Sequence, residues 1–270
     1  CYAGHAPRTE QFFQREGTPL QHRHITDGDG FRVADPDAPH PGACRLLAVG
    51  DSFTSGLYVE AAEAWPAVLE ALLRARGYRV RVDNGGLQGH TIAQERVEVL
   101  SRWAALRPQV VVVGRSSNDV LDLAGLLESG CRVGGALPTE FLPSLPDAAQ
   151  DLRLVAGAME ARARLHVMTG RLREALRNAS PFPDTQRCAA AEDAYVAEAR
   201  DLARVAARAG SRVLFAAFEH TSCGGAYTLQ DGAAFERRLA AAVAEEGARS
   251  LDMKEVLVVT PEAVSYTHLR

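Results

Sequence analysis

A serine hydroxyl attacks a carbonyl only when a base takes its proton and donors receive the negative charge that forms on the oxygen. Ser52 stands in Gly50-Asp51-Ser52-Phe53-Thr54, directly after the apolar run Leu46–Val49. That order reads as strand, tight turn and helix. It puts the hydroxyl at the carboxyl edge of a sheet, where ligands of α/β proteins bind, and near a helix N-terminus that favours developing negative charge. The competing reading is a serine that only caps the next helix. Two further segments carry donors suited to an oxyanion. Gly89 lies in Asn84-Gly85-Gly86-Leu87-Gln88-Gly89-His90-Thr91, and no side chain shields its backbone N–H. Asn118 lies in Ser116-Ser117-Asn118-Asp119, and its side-chain amide donates. Taken singly, Gly89 is a turn glycine and Asn118-Asp119 a helix cap. Asp51 fits a role in fixing the turn through its carboxylate.

For the three segments to meet, each must follow a strand of one parallel sheet. Arg45–Val49 is the first strand. Ala61–Arg76 follows as a helix, with Trp65, Val68, Leu69, Leu72 and Leu73 at helical spacing, Pro66 in its first turn and Gly77 after its end. Tyr78–Val82 is a second strand, leading into the loop of Gly89. Ile92–Leu106 is a helix closed by Pro108, and Gln109–Val113 is a third strand, apolar after its first residue. A strand of that kind belongs in a sheet covered on both faces. Val120–Glu128 reads as a short helix, Gly130–Pro146 as loop, Ala148–Asn178 and Ala189–Ala209 as helical. Ser211–Ala217 is a fourth strand, Ala233–Glu246 a helix and Ser250–Met253 a fifth strand. Strands alternating with helices predict an α/β fold, a three-layer α/β/α sandwich on a flavodoxin-like, parallel five-stranded sheet. All three segments then lie along one edge. The stretch of about 120–209 is too long for an ordinary crossover and is expected to be a helical insertion beside that edge.

The 270 residues fit one α/β domain, over 43–263, behind an extension of 1–42. In the extension only Phe12-Phe13 and Gly30-Phe31-Arg32-Val33 look ordered, and it is expected to pack on the domain edge. His22, His24 and His40 have no carboxylate or cysteine at ligand spacing and read as solvated loop histidines. A net charge of −4 offers no electrostatic footprint for nucleic acid or an anionic membrane. No apolar run reaches transmembrane length. Five cysteines show no CxxC and no zinc spacing. Cys131, Cys188 and Cys223 can supply one disulfide in an oxidising compartment, or stand as isolated thiols. The chain begins with Cys1 and shows no signal peptide, which leaves an upstream segment open. A bacterial, extracytoplasmic setting is the expectation.

Together the three segments resemble the SGNH (GDSL-type) hydrolase family. Gly50-Asp51-Ser52-Phe53-Thr54 is similar to its first block, the loop of Asn84 to Thr91 to its second, and Ser116-Ser117-Asn118-Asp119 to its third. Val59 to Leu69, with Glu63, Trp65 and Pro66, is similar to the helix that follows the serine in many members. The resemblance covers about residues 30–253. Ser116 departs from it, because the family usually has glycine two residues before the asparagine. The resemblance implies that Ser52 attacks an acyl ester of a small molecule or carbohydrate. Gly89 N–H, the Asn118 side chain and Ser52 N–H would hold the oxyanion. It implies no metal and no organic cofactor. Two alternatives stand beside it. One is a polysaccharide O-acyltransferase on the same site. The other is a non-catalytic, flavodoxin-like module in which Ser52-Phe53-Thr54-Ser55 binds an anion and Gly89 and Asn118 have no role. The oligomeric state is not set by the sequence.

Ser52 also needs a base, which the resemblance places three residues after an aspartate, beyond the fifth strand. One Asp-x-x-His occurs, Asp37-Ala38-Pro39-His40, but it precedes the first strand. Beyond the fifth strand stands His268, with Ser265 three residues before it. His90 beside Gly89 and His220 after the fourth strand read as bystanders, with His220 near enough to that edge to contact substrate. Val264-Ser265-Tyr266-Thr267-His268-Leu269-Arg270 reads as an in-frame translation of a transposon mosaic-end sequencing adapter. The expectation is a non-native tail over 264–270, an authentic sequence ending near Ala263, and a chain nearly inactive for want of its base.

Overall fold

The computed structural model describes residues 7–14, 21–37, 44–116, 119–128, 185–218 and 229–253. In chain order these contain β1 (Glu10–Gln14), β2 (Gln21–Thr26), β3 (Arg32–Val33), β4 (Cys44–Gly50), α1 (Ser52–Ser55), α2 (Trp65–Ala75) and β5 (Val80–Asn84). Then come α3 (Ile92–Leu106), β6 (Val110–Arg115), α4 (Asp119–Glu128), α5 (Thr185–Arg208), β7 (Arg212–Ala217), α6 (Leu229–Ala244) and β8 (Arg249–Asp252). All the strands join one sheet in the order β1-β2-β3-β5-β4-β6-β7-β8.

The five strands expected from the sequence are the parallel part, β5-β4-β6-β7-β8. From β4 the chain steps one way to β5, then back past β4 to β6 and onward. Right-handed crossovers therefore put α2 on one face of the sheet and the later helices on the other. The side chains follow. Leu47, Val111 and Val213 are in register across the sheet, as are Val49, Val113 and Phe215. These six meet Ile92 and Val99 of α3, Leu123 of α4, Tyr195 and Leu202 of α5, and Phe235 and Leu239 of α6. On the opposite face Ala48, Val80 and Val82 meet Trp65, Leu69 and Leu73 of α2. Fully burying a side chain such as Leu47 or Val113 stabilises the fold by about 1.5–3 kcal/mol each. Val68 and Leu72, which share the helical spacing of α2, remain 41% and 53% exposed. That face of the sheet needs a narrower stripe than the sequence offers. The helix itself begins at Trp65, later than the expected Ala61.

The sheet has eight strands among the described residues, where five were expected. β1, β2 and β3 are antiparallel additions from the amino-terminal extension, and β3 joins β5 through the pair Arg32 and Asn84. Alternation is present in β2, but its inward positions are His24 and Thr26, which no hydrophobic period reveals. His24 is thus a buried strand residue, its Nε2 3.2 Å from Leu57 O and its ring edge-on to Phe13, and not a solvated loop histidine. His22 also lies in β2, and His40 lies outside the described residues. The extension docks through fully buried Phe31 and through Arg81 on β5. Arg81 binds Asp83 on its own strand and, at 2.9 Å, Asp27 in the turn between β2 and β3.

Of the long stretch between the third and fourth parallel strands, α4 and α5 are described, and both contribute to the main core. The loop and helical segments expected over 130–178 lie outside the described residues, as do the side chains of Cys131, Cys188 and Cys223. Among the described residues no helix is long and apolar enough to cross a membrane.

Candidate active site

α1 is a single turn, and its position depends on three strand ends. Its N-cap is Asp51, whose Oδ1 accepts from Phe53 N at 2.8 Å, so the aspartate, not Ser52, does the capping. Ser52 is its first residue and is half-buried. The turn sits so low that glycines are needed beneath it. A Cβ on Gly50 would lie 2.1 Å from Thr54 Oγ1, one on Gly114 2.5 Å from the same atom, and one on Gly86 2.2 Å from Ser55 N. Gly50 ends β4, Gly114 is the last residue but one of β6 and Gly86 follows β5, so the ends of the three strands that lead into the sequence segments form the floor under the serine's helix. An aromatic group, Phe53 against Phe218 at 4.8 Å and Phe218 against Trp65 at 5.6 Å, joins α1 to the end of β7 and the start of α2.

The second segment is tied to the first by backbone. Gly85 N donates to Ala48 O (2.8 Å) and Leu87 N to Gly50 O (2.9 Å). Asn84 Oδ1 accepts from Gly86 N (3.1 Å), while its amide donates to Ser55 O (3.4 Å). Gly89 follows, exposed and at φ +67°, a conformation that L side chains rarely adopt, although open space surrounds its Cβ position. Its glycine is explained by backbone conformation and an uncovered N–H. His90 is buried, with its N–H on Leu87 O at 3.2 Å.

The third segment is tied to the first by side chains. Ser116 Oγ is 2.7 Å from Asp51 Oδ2 and 3.3 Å from Asp119 Oδ1, and Ser116 N donates to Asp119 Oδ2 at 3.1 Å. Ser116 and Asp119 flank residues 117–118, so Asn118 itself lies outside the described residues. All three polar groups are buried. Burial pushes the Asp119 carboxyl well above the ordinary range, Asp51 pushes it further, and Arg115 and the Ser116 hydrogen bonds oppose this in part. One hydroxyl proton cannot serve two carboxylates. The shorter contact, at 2.7 Å, is the one to Asp51, so the Ser116 hydroxyl donates there first.

Close to this bridge lies Glu95 of α3, with both carboxyl oxygens buried and without a hydrogen-bond partner among the described residues. Burial above all, then Asp119 and Asp51, pushes Glu95 well above its ordinary 4.5. The folded state therefore binds this proton more tightly than the unfolded chain. The resulting stabilisation is complete below about pH 4.5 and declines as pH rises toward the raised folded value, at up to about 1.4 kcal/mol per pH unit. Glu95→Gln, neutral at every pH, should remove this contribution. Urea denaturation from pH 5 to 8 should show the variant gaining stability relative to wild type as pH rises. A difference that stays flat would mean that Glu95 is ionised in the fold.

Residues 48–267 match the GDSL-like Lipase/Acylhydrolase family. The chain belongs to this family. Esterase TesA of Pseudomonas aeruginosa is 34% identical over 79 residues, which are 29% of this chain and 39% of TesA. The matched stretch thus spans well under half of that curated relative. Among solved structures, the chain is similar to AlinE4, an SGNH-hydrolase family esterase, at 17% identity and a TM-score of 0.49, covering 86% of this chain and 88% of that one. It is also similar to the crystal structure of TesA, at 19% identity and a TM-score of 0.46, covering 76% of each. The family match does not favour the acyltransferase or binding-module alternatives.

In this GDSL-like chain, then, Ser52 and Gly89 both follow adjacent parallel strands at the carboxyl edge, as expected. Asn118, Glu219, His220 and His268 lie outside the described residues. Asp37 is described and exposed, on the extension before β4. Sequence reasoning missed the roles of Ser116 and Glu95. Both left a signal. Ser116 occupies a position where the GDSL-like family usually has glycine, and Glu95 stands at helical spacing with Ile92 and Val99, on the stripe α3 buries.

Proposed function

We propose that this chain hydrolyses acyl esters with Ser52 as nucleophile, on a small-molecule or carbohydrate ester. Ser52 Oγ bonds to the ester carbonyl carbon. Gly89 N–H, Ser52 N–H and the Asn118 side chain receive the oxyanion. Collapse of the tetrahedral species breaks the ester C–O bond, and the alcohol leaves with the proton first taken from Ser52. Water then attacks the acyl-serine and regenerates the hydroxyl. The observation that supports this reading best is the direct bonding of the second and third segments to residues flanking Ser52, through Leu87 N on Gly50 O and Ser116 Oγ on Asp51.

The proton acceptor is the weak part of the machinery. Beyond β8 the sequence contains no Asp-x-x-His. We therefore read the 270-residue chain as a slow form of the enzyme, with an Asp-x-x-His after β8 needed for full rate. The oxyanion assignment has its own test in any form with measurable turnover. Asn118→Ala should lower kcat on a short-chain aryl ester by about 10²- to 10³-fold with KM little changed, as loss of one oxyanion donor does. An unchanged kcat would remove Asn118 from the site.

A further inference from the structure

Arg32 comes from β3 of the amino-terminal extension and lies before the family-matched residues. It is buried, 3% exposed, yet among the described residues no carboxylate binds its guanidinium tips. They are spent on backbone carbonyls instead. Nη1 donates to Ser55 O and Gly56 O at 2.6 Å each, and Nη2 to Val59 O at 2.6 Å and to Arg23 O at 3.4 Å. Ser55 is the last residue of α1, Gly56 its C-cap at φ +74°, and Val59 belongs to the turn that leaves it. A Cβ on Gly56 would lie 2.7 Å from Arg32 Nη1, so the glycine that ends the serine's helix is also the one that admits the guanidinium. Asn84, the register partner of Arg32 on β5, donates to the same Ser55 O.

A short helix such as α1 has no hydrogen bonds to spare. Gly56 N and Leu57 N both return to Ser52 O, at 2.9 and 3.1 Å, and Val59 N reaches Gly56 O at 3.2 Å, while Ser55 O is met by the side chains of Arg32 and Asn84. A guanidinium supplies up to five donors in a fixed fork, with a positive charge at the carbonyl end of the turn, where a cation is favoured. Burial lowers the Arg32 pKa to about 10, so it stays charged at neutral pH.

We infer that Arg32 is a positioning residue for the nucleophile: it gathers the carbonyls that follow Ser52 and makes the amino-terminal strands a working part of the active-site edge. The inference concerns how α1 is held, and its catalytic consequence rests on the esterase reading of Ser52. Small misplacements of a reacting group are costly, with about 1 Å enough to lose about 10²-fold in rate.

The test compares wild type, Arg32→Met and Arg32→Lys by two readouts, hydrogen exchange in the full 270-residue chain and hydrolysis in the form carrying an Asp-x-x-His after β8. In hydrogen exchange, Arg32→Met should speed the Gly56 and Leu57 amides at least tenfold while the Val111 and Val113 amides of β6 keep their protection, and Arg32→Lys should recover part of the loss. In hydrolysis of p-nitrophenyl acetate by the form carrying an Asp-x-x-His after β8, the Ser52-dependent kcat should fall at least tenfold in Arg32→Met with KM unchanged. Unchanged exchange at Gly56 and Leu57 overturns the inference. So does an equal rise at β6, which would make Arg32 a contributor to global stability only. Should Arg32→Met fail to fold, the same comparison is made on Arg32→Lys. No Ser52-dependent turnover in the form carrying an Asp-x-x-His after β8 would count against the esterase reading alone, since the exchange pattern still decides how α1 is held.

Discussion

A form of this protein carrying an Asp-x-x-His after β8 should lose about 10⁴- to 10⁶-fold in kcat on a short-chain aryl ester when Ser52 becomes alanine, the range seen when a serine triad loses its nucleophile. The geometry gives a physical reason to expect the loss in kcat and not in folding. Asp51, not Ser52, caps α1, and the backbone bonds to Ser52 O survive the substitution. Thermal melting should therefore place Ser52→Ala close to wild type while turnover collapses. A variant that keeps a tenth or more of the wild-type rate would show that another group attacks the ester. A variant that unfolds would show that the hydroxyl serves the structure.

The second large effect concerns the 270-residue chain itself. Triad members act as a unit, so if the 270-residue chain lacks its base, as we propose, removing the serine costs little more. The chain as given should thus run near the residual level of the oxyanion hole, and Ser52→Ala should change it by less than about tenfold. His90, beside Gly89, is buried with its backbone N–H on Leu87 O. The measurement is a steady-state comparison of the chain and its Ser52→Ala variant, with His90→Gln and His268→Gln alongside. Robust turnover that depends on Ser52 and disappears with one of those histidines would identify that histidine as the base and overturn the reading of the tail.

What the sequence determined by itself were the features that local chemistry writes into a run of residues. The apolar stretches of β4 and β6 could only be strands covered on both faces, and their alternation with helices left a parallel sheet as the economical solution. Their ends carried Ser52, Gly89 and Asn118 in order, and a parallel sheet brings its strand ends to one edge whatever the loops do. Gly89 was readable because it stands in a glycine-rich loop directly after a strand, with no side chain to shield its N–H.

Only the tertiary structure decided how those ends are held together. Ser116 reaches Asp51 across 65 positions of sequence, and whether its hydroxyl bridges two carboxyls depends on both being buried at the same depth. Glu95 could have faced water as easily as the core, and the packing of α3 under the site settled that. The amino-terminal strands were the hardest to read, for a definite reason. Their inward residues are His24, Thr26 and Arg32, and Arg32 is satisfied by the carbonyls of Ser55, Gly56 and Val59. Every residue has a carbonyl, so an acceptor of that kind leaves no mark on the sequence, and its partner becomes visible only when the chain has folded.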